Sequence, residues 1–149
     1  MPNAESLRFD IVGPVLLVVH ADMAPEAEDW SRLRVVREAN RDKLRGTLVI
    51  APPRAKLSAS QRSDVAQYMK VTGASTAVVT DSALVRGVAR AIGFLGVPVR
   101  AFAPIELESA LNFLSVPSSR HAELLRRVDV LRAQLSISQP PPMTLSKGA

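Results

Sequence analysis

"TAVVTDSALVRGVARAIGFLGVPVRAF", residues 76–102, decides how the fold is read. A short apolar run meets Asp81-Ser82, a pattern of helical period follows, and beyond Gly96 a second apolar run begins. Strand, helix and strand in direct succession imply a right-handed crossover between parallel neighbours in one sheet. Asp81 or Ser82 supplies the side-chain oxygen that a helix start needs for its unpaired backbone N–H groups. The spacing predicts a helix over Ala83–Leu95 with Leu84, Val88, Ala91, Ile92 and Leu95 inward, then a strand over Val97–Phe102.

The same alternation extends towards the N-terminus. Leu7–Val12 and Val15–His20 are strand-like runs separated by Gly13-Pro14, which predicts a β-hairpin. The second run is apolar on both faces and suits a central strand covered on both sides. A helical pattern runs from about Pro25 to Arg45, with Glu26, Glu28 and Asp29 at the positive end of its dipole and Ala27, Trp30, Leu33 and Val36 as its buried stripe. Gly46 ends it, and Thr47–Ala51 is the next strand. After the rigid Pro52-Pro53-Arg54 loop, Ser58 and Gln61 match a capping box for a helix over Ala59–Thr72 that closes at Gly73, with Val65, Ala66 and Met69 inward. Thr76–Thr80 follows as a strand.

Towards the C-terminus, Pro104–Leu114 reads as a helix with Leu107, Ala110, Leu111 and Leu114 inward. Leu124, Val128, Leu131 and Leu135 then recur at four-three-four spacing within a helix over Ser118–Leu135. Such a seam either packs on its own domain or forms a dimer contact. The last stretch, with three consecutive prolines, has no core-forming pattern and is expected to be a disordered tail. The chain thus divides into an α/β domain over 1–116, an amphipathic helix over 117–135 and a Pro-rich tail over 136–149. The expected fold is a mostly parallel sheet of about five strands with an N-terminal antiparallel hairpin, covered by helices, plus the extra C-terminal helix.

Composition narrows the function classes. At 149 residues the chain is one domain by size, and with 47% hydrophobic but only 4% aromatic residues its core must be aliphatic. No apolar run is long enough for a membrane span, and the N-terminus lacks the pattern of a secretory signal. The absence of cysteine removes disulfides, thiolate metal sites and a Cys nucleophile. A cytoplasmic location is the expectation. The net charge of +5 concentrates between Arg54 and Arg100, where seven basic residues face Asp64 and Asp81. Exposed aromatic strand positions and nucleic-acid-binding signatures are missing, so nucleic acid is not the expected partner.

Motifs for chemistry are sparse. There is no Walker-type or dinucleotide-type glycine loop and no nucleophile elbow. Gly87 and Gly93 fall inside the helical pattern rather than in a strand-to-helix turn. His20 and Asp22 with Asp81 do not amount to a metal-ligand set, and no cofactor is expected. In open parallel sheets ligands bind beyond the carboxyl ends of the strands. That rule gathers His20, Asp22, Arg54, Asp81 and Ser82 on one edge, with Arg86 and Arg90 on the helix that starts there. Ser82 with His20 and the aspartates has the residue types of a hydrolase, but the order and spacing fit no nucleophile turn and Ser82 already serves as a cap.

The stretches "AVVTDSALVRGVARAIGFLG" (77–96) and "VPVRAFAPIELESALNFL" (97–114) resemble the SpoIIAA-like, or STAS-like, family, whose fold is shared with certain lipid-binding domains. The similarity extends over roughly residues 6–114. It implies a non-catalytic module that works through protein contacts, often in regulation. The anti-sigma-factor antagonists of that group carry a phosphorylatable Ser in an Asp-Ser turn. The corresponding stretch here reads "APPRAKLSAS", with Ser58 and Ser60 as the nearest hydroxyls. The expectation is therefore a non-enzymatic interaction or regulatory module with an unidentified protein partner, forming a homodimer or larger assembly through the basic face or the C-terminal seam. The alternative is a small-ligand or lipid-binding domain with a pocket at the carboxyl edge around His20, Arg54 and Asp81.

Overall fold

The computed structural model describes residues 5–138. In chain order its elements are β1 (Leu7–Val12), β2 (Val15–His20), α1 (Ala27–Ala39), β3 (Gly46–Ile50), α2 (Ala59–Thr72), β4 (Ser75–Val79), α3 (Ala83–Gly93), β5 (Val99–Phe102), α4 (Leu107–Phe113) and α5 (His121–Ser138). The strands lie side by side in sequence order. β1 pairs antiparallel with β2, Leu7 opposite His20 and Val12 opposite Val15, while β2 to β5 are parallel. Gly13 makes the hairpin turn at φ 57°, a left-handed conformation open to glycine.

This order fixes the layers. Each parallel step moves one place in the same direction, and right-handed crossovers then put α1, α2 and α3 on one face. After β5 the chain crosses over, and α4 and α5 cover the opposite face. There Leu17, Val19, Leu48, Ala77, Val79 and Phe102 meet Ala110, Leu111, Leu124, Val128 and Leu131 in one tightly buried cluster. The four-three-four seam Leu124, Val128, Leu131 and Leu135 is consumed in that cluster, so it packs on the chain's own sheet. Each of these side chains contributes roughly 1.5–3 kcal/mol by leaving water. Arg127 pairs with Asp10 at 2.6 Å and Arg8 Nη1 donates to Gln134 Oε1 at 3.0 Å, which ties α5 to β1 at its rim.

Local chemistry explains most boundaries. Ser58 Oγ accepts from Gln61 N while Gln61 Oε1 accepts from Ser58 N, so the capping box forms as the sequence implies, and Gly73 closes α2 at φ 73°. Ser82 Oγ accepts from Val85 N at 3.2 Å and starts α3. Three expectations need correction. α1 stops at Ala39, because Asn40 Nδ2 turns back onto the Val36 carbonyl at 2.8 Å and Leu44 then tucks into the core. α3 stops at Gly93, and its buried stripe is Val85, Ala89 and Ile92, with Leu84 and Leu95 more than half exposed. α5 runs on through Ser138 rather than ending at Leu135; the remainder of the tail from 139 lies outside the described residues.

A polar latch secures the start of the sheet. Asp29, buried in the first turn of α1, accepts from Ser6 N at 2.8 Å and from Ser6 Oγ at 2.6 Å, and pairs with Arg32. Burial opposes the charge of this carboxylate, but the Ser6 hydrogen bonds and Arg32 outweigh it and hold its pKa below the ordinary value.

Candidate functional site

The two faces of the sheet are packed differently. Towards α4 and α5, Leu48 and Ala77 on the central strands have no exposure at all. One residue further along those strands, Val49 and Val78 point the other way, towards α1–α3, and are only half-buried although helices lie over them. α3 packs closely on β5, whereas α2 stands back from the sheet. The space left between is a cavity of about 90 Å³.

Its lining follows from the strand alternation. Val18, Val49, Val78 and Val99 form the floor, and Trp30, Leu33, Val65, Val88 and Ala89 come from the helices above. Thr47 and Thr76, the second residues of β3 and β4, bring hydroxyls to the amino end of the floor. Over that end lie Arg37, in the last turn of α1, and Tyr68, in the second half of α2. The guanidinium sits 4.4 Å from the centre of the Tyr68 ring. At the opposite end His20, the last residue of β2, points inward.

Among the described residues three buried side-chain polar atoms have no hydrogen-bond partner: His20 Nδ1, Arg37 Nε and Tyr68 Oη. All three residues line this one cavity. They are 5%, 5% and 7% exposed respectively, so solvent at the outer surface does not satisfy them. Leaving such a group unpaired costs about 1–3 kcal/mol, and native structures contain few. The Thr72 hydroxyl next to Tyr68 is committed to the Tyr68 backbone carbonyl, to which it donates at 2.7 Å. Burial raises the Tyr68 phenol above its ordinary pKa, so it stays protonated and able to donate. Burial pushes His20 down to about 4, which leaves a neutral imidazole at neutral pH.

Arg37 is held from outside. Its Nη2 donates to both oxygens of Asp64 on α2 at 3.0 and 3.1 Å, and Trp30 Nε1 donates to Asp64 Oδ2 at 3.1 Å. Arg34 adds a contact of 3.2 Å to the same carboxylate. One acidic residue of α2 thereby ties down three residues of α1 at helical spacing. With its terminal nitrogen engaged there, Arg37 keeps Nε free.

The residues that the sequence assigned to the carboxyl edge separate into groups. Asp22 Oδ1 accepts from Arg54 N at 2.8 Å, which folds the Pro52–Arg54 loop over the edge. Ser82 caps α3, and Arg86 Nη1 reaches the Thr80 carbonyl at 3.4 Å. Asp81, Arg54 and Arg90 are exposed, and none of the three lines the cavity. Only His20 of that set lines the cavity, whose carboxyl end is otherwise formed by Ala51, Ala55, Lys56, Leu57 and Val85. No cluster of metal-ligating side chains occurs among the described residues, and no described helix is long and apolar enough to cross a membrane.

Arg37 and Tyr68 escaped the sequence reading. A signal for Arg37 exists: it stands seven residues after Trp30 and four after Leu33 along the buried stripe, where Val36 was expected. Tyr68, the sole tyrosine, stands three residues after Val65 on the inward side of α2. The chain matches no family model, no curated protein and no solved structure in comparisons with known proteins.

Proposed function

We propose that this chain is a non-enzymatic binding domain that holds a small, mainly apolar molecule between its sheet and α1–α3. One observation carries the reading: the three unpartnered buried polar atoms all belong to residues lining the single face where the sheet is incompletely packed. An apolar space with a few convergent polar groups is the usual composition of a small-ligand site. At about 90 Å³ the cavity suits molecules of roughly four to six non-hydrogen atoms before any adjustment of α2. The strand order with its leading antiparallel hairpin also supports reading the architecture as SpoIIAA-like.

Filling the cavity tests the proposal. In Val78→Phe the added ring should occupy the space, leave the melting temperature unchanged or raised, and abolish calorimetric binding of isobutyramide. If the floor is already well packed, the same change instead destabilises the protein by about 1–3 kcal/mol, and the reading fails.

A second reading, contact with another protein or with a second copy, is favoured by Phe94 at 82% and Ile105 at 94% exposure. Sedimentation distinguishes it: self-association through Phe94 requires a mass above 16.1 kDa that returns to that value in Phe94→Ser.

A further inference from the structure

The amino end of the cavity carries information about the ligand's chemistry. Arg37 and Tyr68 line the cavity and also a groove of about 300 Å³ on the outer surface between α1 and α2. They form the partition between inside and outside. The groove is lined by Arg34, Arg37 and Arg41 against Glu38 and Asp64, three guanidinium groups facing two carboxylates. Arg41 takes Glu38 at 3.2 Å, and Arg34 and Arg37 share Asp64. One positive charge is left without a carboxylate of its own. Both residues of this partition carry a buried donor without a partner: Arg37 Nε, which can only donate, and the protonated Tyr68 hydroxyl.

We infer that the ligand is a small branched aliphatic carboxylate, received at its carboxylate by Arg37 Nε and Tyr68 Oη, with its hydrocarbon end on Val18, Val49 and Val78, and admitted through the α1–α2 groove. The inference rests on the binding-domain reading above. Two donors beside an excess positive charge match the two oxygens of a carboxylate, and charge-assisted hydrogen bonds are the strong ones in a desolvated site. A neutral amide of the same shape supplies one acceptor and no charge. Its NH₂ group would also face the donor-only Nε.

Calorimetric titration of the full chain with isobutyrate and with isobutyramide tests this. The expected result is isobutyrate binding at least about tenfold more tightly than isobutyramide. In Tyr68→Phe that preference should shrink several-fold. The variant removes an oxygen with no partner in the protein, so it leaves the fold intact. Arg37→Gln should abolish the preference altogether, but it also deprives Asp64 of a partner, so Tyr68→Phe is the primary variant. Equal affinity for the two compounds, or a preference untouched by Tyr68→Phe, overturns the carboxylate inference and leaves the binding-domain reading standing. Binding of neither compound overturns both.

Discussion

His20 and Tyr68 each keep a buried polar atom without a hydrogen-bond partner. Removing the Tyr68 hydroxyl should therefore be neutral or stabilise the fold, by up to about 1 kcal/mol, because an unpaired buried group disappears and no protein hydrogen bond is lost. Urea unfolding of Tyr68→Phe measures this, and a loss above about 1 kcal/mol would mean that the phenol has a structural partner after all. His20 predicts a pH signature. Its folded pKa is depressed to about 4 from 6.5, so between these values the unfolded chain holds a proton that the folded chain excludes. Stability is complete above about pH 6.5, falls as pH drops through the window and levels off below about 4, by roughly 3 kcal/mol in all. His20→Leu should flatten that limb of the stability profile. An unchanged slope would place the titration elsewhere. The sequence showed His20 at a strand end but not which way it faced, since facing depends on sheet register, which pairs it with Leu7.

At the scale of elements, punctuation was more legible than facing. Gly13-Pro14, the Ser58–Gln61 capping box, Gly73 and the Ser82 cap each act through a local backbone requirement, and local requirements are written in adjacent residues. The expected stripes on α1 and α3 were right in part. On α1 Trp30 and Leu33 are buried, with Arg37 in place of Val36. On α3 Ile92 is buried and Val88 half-buried as expected, while Val85 and Ala89 are buried instead of Leu84, Ala91 and Leu95, where the helix approaches β5. Ile92→Ala should accordingly cost about 2–5 kcal/mol, whereas Leu95→Ala should stay within about 0.5 kcal/mol. Equal costs in denaturant melts would put Leu95 in the core beside Ile92. Ser82→Ala should cost about 1 kcal/mol by loss of the cap, with no other consequence.

For the whole molecule, the alternation of strands and helices was enough to specify an α/β sheet with its leading hairpin. It did not reveal that one face would be filled and the other left partly open. That asymmetry depends on the stand-off of α2, held by Asp64 against α1, and no spacing in the sequence encodes a distance between helix and sheet. The Leu124–Leu135 seam was ambiguous for the same reason: a heptad row fits a partner helix or a sheet equally well. The structure places it on β1 and β2 as part of the main core. A chain ending before Ser118 would uncover Leu17, Val19 and Leu111 together and should lose its cooperative melt. A truncated protein that still melts cooperatively would detach α5 from the core.

Methyl NMR during titration with isobutyrate shows whether the α1–α3 face of the sheet holds a small molecule. Saturable shifts are expected at the methyl groups of Val18, Val49, Val78 and Val88, with Leu48, Leu111 and Leu131 on the filled face unmoved. Silence at the four valines, or shifts confined to exposed Leu95 and Ile105, would contradict it.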